Sequence, residues 1–160
     1  FTAEKLLYNY PVESHVYVMD RKSGEQKVFE ADSRFTKNVV EKCESGNYEQ
    51  WERHNIENPH FYDLMYLPQT GMYARLHLGG IEFDATRDIL NLMDDRDLYL
   101  TLFDKDFVVV GEAKLPSHRY NYFTGWMETN DGVALFVDNS LDENEKTEEL
   151  VLDIVRLQAD

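Results

Sequence analysis

Apolar and polar residues alternate along most of this chain. Leu98, Leu100 and Leu102 point to one side of an extended segment and Tyr99, Thr101 and Phe103 to the other, the period of two that a pleated strand imposes. Asp104-Lys105-Asp106 reads as a polar turn, and Phe107-Val-Val-Val110 as the return strand, so the pair forms a β-hairpin. The same pattern stands at residues 15–20 and 26–30 around the turn Arg21-Lys-Ser-Gly24. It recurs at 61–67 and 72–78 around Pro68-Gln-Thr-Gly71, where Pro presets one turn torsion and Gly allows the positive φ of the next. A last pair, 123–128 and 132–137, meets at Thr129-Asn-Asp-Gly132 and is followed by a strand within 149–157. Residues 5–10 supply a further strand at the start. Gly79-Gly80 interrupts a strand that 81–83 continues past a bulge, and 87–97 reads as a linker. Between 33 and 58 the apolar spacing lapses into a long polar insertion, with one short helix at 47–57.

At 160 residues the chain has a one-domain length, and 42% hydrophobic and 13% aromatic residues favour folding over disorder. A formal net charge of −15 makes nucleic acid and anionic membrane poor partners, because phosphate binding depends on Lys and Arg releasing counterions. Cys43 is the only cysteine, so no intrachain disulfide forms. No apolar run approaches the roughly 20 residues of a membrane helix, so no membrane insertion by this segment is expected. Phe1 in place of an initiating Met suggests a piece cut from a longer parent, whose export signal would lie upstream.

The units repeat. His60-Phe-Tyr62 and His118-Arg-Tyr120 each open a group of strands just after a proline. The expected fold class is therefore all-β, a partial β-propeller of about three blades of antiparallel four-stranded meanders, with a β-sandwich as the alternative. The whole chain, 1–160, is taken as one fragment with blades at about 1–32, 59–116 and 117–160 and an interblade insertion at 33–58. Residues 15–30, Asp32-Ser-Arg-Phe35, 60–78, 98–116 and 123–137 resemble the TolB-like six-bladed propellers, most of all bacterial lipoprotein-type propeller domains of unknown function. That resemblance implies export to the periplasm or cell surface and a lipoprotein parent. It also implies a C-terminal half, which would pair with a missing N-terminal half or with itself.

Ligands of propellers usually sit where one blade crosses to the next, which singles out His60, Tyr62, His118, Arg119, Tyr120 and Tyr122. Aromatic rings there would stack on a saccharide or a peptide, and Arg119 would hydrogen-bond an anionic group. Blade packing, with the polar tips bonded to backbone, accounts for the same residues. The five histidines show no metal-ligand spacing, so no metal site and no cofactor are expected. The acidic runs 94–97 and 138–145 lack the spacing of an EF-hand. No nucleophile elbow or phosphate loop is present, so no catalytic residue is assigned. The function expected is non-catalytic binding of unknown specificity, the alternative being a calcium-dependent lactonase or lyase. Trp126, inside a strand pattern, is expected in the core, whereas Trp51 suits core or surface.

Overall fold

The computed structural model describes residues 4–43, 46–121, 125–144 and 149–156. Most of the alternating stretches form strands, the expected strand 123–128 lying partly outside the described residues, and hairpin neighbours pair antiparallel. The first sheet joins β1 (Lys5–Tyr8), β2 (Val16–Asp20) and β3 (Gln26–Phe29) in that order. The central sheet holds β4 (His60–Phe61), β5 (Met65–Leu67), β6 (Met72–Leu78), β7 (Leu98–Phe103) and β8 (Val109–Lys114). Both β4 and β5 pair with β6, which pairs with β7 and that with β8. The third joins β9 (Trp126–Thr129), β10 (Gly132–Phe136) and β11 (Leu152–Arg156), with β10 in the middle.

Register decides which side chains meet. Ala74, Leu76 and Leu78 on β6 stand opposite Leu102, Leu100 and Leu98 on β7 and share one face. That face packs with Met65, Leu67, Leu115 and Tyr120 against Val133 and Leu135 of the third sheet. On the opposite face, Phe103 and the buried Phe107 meet Val16, Val18 and Ala31 of the first sheet and its return segment. The central sheet is thus covered on both faces, and burial of these apolar surfaces is the main force holding the layers together.

The all-β class holds, but the partial propeller does not: the described strands form three separate sheets of three, five and three strands with no closed barrel. Hairpin spacing specifies antiparallel neighbours within a sheet. It carries nothing about how separate sheets are arranged, and the blade reading supplied that step from pattern alone.

Local differences have identifiable causes. The expected strand 61–67 breaks into β4 and β5 at Tyr62, whose N–H still donates to the Leu76 carbonyl. The helix in the insertion, α1 (Tyr48–Glu57), is capped by the Asn47 side chain. The expected linker 87–97 contains a second helix, α2 (Ile89–Asp94), capped by Asp88, and 81–83 adds no strand. The return strand β8 begins at Val109 instead of Phe107. Phe107 takes the left-handed conformation at φ 62°, and Asp104 accepts the Asp106 and Val108 N–H groups to close a longer turn. Trp126 lies at the rim of its sheet, 41% exposed, and not in the core.

Candidate functional site

The crossings lie at one end of the central sheet, where β6 ends and β7 begins. His60 and Tyr62 pack ring against ring at 4.8 Å. Burial lowers the His60 pKa, with the Arg96 charge acting in the same direction. The segment Asp94-Asp-Arg-Asp97 stands between this pair and the second crossing. Arg96 is buried and donates to the Gly79 carbonyl at 2.7 Å and the Asn58 carbonyl at 2.6 Å, beside His60 in the chain. His118, at φ 54°, meets Asp95 at 2.7 Å, and Asn139 donates to the carbonyls of Asp94 and Tyr120. Arg119 grips both Asp153 oxygens, at 2.8 and 3.1 Å, and Asp142 at 3.1 Å. The Tyr120 hydroxyl donates to the same Asp153, and its pKa is raised by burial and then by that carboxylate.

These groups satisfy one another. Arg119, expected to take an anionic ligand, already holds two carboxylates, and its pairing keeps the Asp153 pKa low. Tyr120 is buried in the core. Tyr122 lies outside the described residues. The crossings therefore form a structural knot, with the acidic run 94–97 at its centre.

A second polar group lies between the first two sheets. Arg75, fully buried, donates to the carbonyls of Ser14 at 2.7 Å and Ala31 at 3.0 Å, with its guanidinium over the rings of Phe61 and Phe103. His77 stacks between Phe61 and Tyr99, at 5.1 and 4.9 Å, and Phe35 stacks on the far side of Tyr99 at 5.2 Å. Arg34 caps this column over Phe35 and donates to Glu112 through its backbone N–H and its side chain. The residues come from β4, β6, β7 and the polar insertion. Sequence spacing places Arg75 and His77 on one strand face but gives no sign of the partners opposite.

A third feature is open. A groove of about 540 Å³ is lined by Leu6, Leu7, Tyr8 and Asn9 from the first sheet and by Asp63, Leu64, Met65 and Tyr66 from the central sheet, with Tyr73 and Trp126 completing its walls. It touches one strand of each sheet, β1, β5 and β9. Tyr66 is 47% exposed, packed on Tyr73 at 5.2 Å, while Trp126 faces solvent. Alternation misassigned Trp126, because it fixes a residue's face of the sheet and not its distance from the sheet edge. A second hollow, about 630 Å³, lies beside α1 and is lined by polar residues including Lys42, Cys43, Arg53 and His54. Among the described residues no three His, Cys, Asp or Glu side chains are grouped to hold a metal ion, and no helix is long and apolar enough to cross a membrane.

Comparison with curated proteins finds no match. Among solved structures, a member of the DUF4221 family from Bacteroides vulgatus superposes with a TM-score of 0.72 at 18% identity. The match covers 98% of this chain and 47% of that one, so the chain spans about half the length of its structural relative. The profile of the same family, a domain of unknown function, matches residues 1–114. The resemblance to TolB-like propellers and to lipoprotein-type domains is corrected accordingly, since neither match carries those designations. The chain belongs to the DUF4221 family.

Proposed function

We propose that this domain binds a ligand without transforming it, and that the ligand occupies the groove where β1, β5 and β9 meet. The observation that carries this reading is the lining. Leu6, Leu7, Leu64 and Met65 give an apolar trough, the exposed rings of Tyr66 and Trp126 give flat walls, and Asn9 and Asp63 add polar groups that orient a guest. A largely apolar concavity with few convergent polar groups is the common form of a binding site. The crossings support the same choice by their saturation, because Arg119 and His118 are engaged by carboxylates.

Trp126 provides the test. The chain has two tryptophans, and the other, Trp51, lies on α1, so Trp51→Phe leaves one reporter in the groove. Titration of this variant with a panel of neutral saccharides and extended peptides is expected to give a saturable change in Trp126 emission with at least one member. Tyr66→Ala is expected to weaken that response. Ready quenching of Trp126 by acrylamide, with no saturable response to any panel member, would overturn the proposal.

A further inference from the structure

We infer that the groove takes an extended, cationic peptide as an added strand between β1 and β5. This deepens the binding reading above and rests on it. The lining residues run consecutively, Leu6 to Asn9 on one side and Asp63 to Tyr66 on the other. A strand presents every second residue on its face, whereas its edge presents consecutive residues and their backbone. The groove is therefore walled by the edges of β1, at Leu6 to Tyr8, and of β5, at Met65 and Tyr66, with Asn9, Asp63 and Leu64 continuing the two walls. Among the described residues β1 pairs only with β2, and β5 only with β6, so the remaining edge of each carries backbone N–H and C=O groups without a ladder partner. An edge of this kind is a template for an incoming strand, with backbone bonds giving affinity and side-chain pockets giving selectivity.

Two further observations define the guest. The two segments are tied together just beyond these edges, where Phe61 N–H of β4 donates to the Pro11 carbonyl past β1 and the Asn9 amide donates to the Phe61 carbonyl at 3.4 Å. The oxygen of that amide, Asn9 Oδ1, is buried without a hydrogen-bond partner among the described residues. A buried acceptor left unpaired calls for a donor, and a peptide N–H entering beside Asn9 supplies one. The charge is one-sided. Among the described residues Asp63 is the only charged one in the lining, it is exposed, and the whole chain carries −15. A Lys or Arg of the guest would pair with Asp63, while alternate apolar residues would pack on Leu64, Met65 and Trp126.

The test uses the full 160-residue chain and three peptides of alternating Val and Lys: the parent, a version with Glu in place of Lys, and one methylated at alternate backbone nitrogens. Trp126 fluorescence reports affinity, and amide hydrogen exchange of β1 and β5 reports strand addition. The parent is expected to bind about tenfold or more tightly than either altered peptide, the weight of one charge-assisted or backbone bond. It is also expected to protect edge amides of both strands, and Asp63→Asn to remove the preference for Lys over Glu. Equal binding of the methylated peptide would overturn the inference. A saccharide that saturates Trp126 while all three peptides stay silent would overturn it too and leave the groove as the binding site. Silence of saccharides and peptides alike would overturn both readings.

Discussion

His77 is the residue in which burial and charge conflict most sharply. Its ring is fully buried between Phe61 and Tyr99, neither nitrogen has a hydrogen-bond partner among the described residues, the Glu112 carboxylate stands 3.7 Å from Nε2, beyond hydrogen-bond distance, and Arg75 lies on the same strand face. Burial, and then the Arg75 charge, push its pKa from 6.5 down to about 3. Between those values the unfolded chain takes up a proton that the folded one refuses. The stabilisation is complete above pH 6.5 and is lost as pH falls towards 3. At about 1.4 kcal/mol per pH unit, the contribution of His77 alone over the fall from 6.5 to 4 is on the order of 3 kcal/mol. His77→Phe keeps the stack and removes the titration, while carboxylates such as Asp153 titrate alike in both proteins. Urea midpoints at pH 7 and pH 4 are expected to drop further for the wild type than for the variant. Parallel drops would show that His77 is not held neutral by its surroundings. The same residue marks a limit of sequence reading, since alternation places His77 beside Arg75 on one face but contains nothing about the rings packed over it. Trp126 fails in the opposite direction, with the right periodicity for a strand and an exposed position at its rim.

At the scale of elements, Arg96 joins α1, α2 and the end of β6. It follows directly on the α2 terminus, and its planar fork reaches the carbonyls of Gly79 and Asn58 from a buried position. A lysine carries the charge but not the geometry, so Arg96→Lys leaves one carbonyl unpaired. The expected cost is about 2 kcal/mol, read as a lower urea midpoint with unchanged slope. A variant as stable as the wild type would remove Arg96 from this role. The helix α1 was legible because Asn47 begins a polar but continuous run. The helix α2 has its own cap at Asp88, yet its six residues sit among acids that read equally well as a linker. Near β8, the run Phe107 to Val110 has strand composition throughout, but Asp104 draws the Asp106 and Val108 N–H groups into a turn that delays the strand to Val109.

At the scale of the whole molecule, the hairpins were legible and the relation between sheets was not. A period of two and short turns specify Leu76 opposite Leu100, whereas the meeting of Phe103 with Val16, or of Leu76 with Val133 and Leu135 in one core, depends on contacts far apart in sequence. The groove follows from the same long-range arrangement, because β1, β5 and β9 reach it from three different sheets. No short motif marks it. A sheet buried on both faces stands beside an open groove walled by the edges of β1 and β5. Residue-resolved amide hydrogen exchange of the free chain tests this most directly. Expected are the slowest amides in β6 and β7, near the global unfolding limit, and fast exchange for outward-facing amides of β1 and β5. Strong protection along the outer edges of β1 and β5 in the free chain would mean that the groove is closed, and would contradict the account.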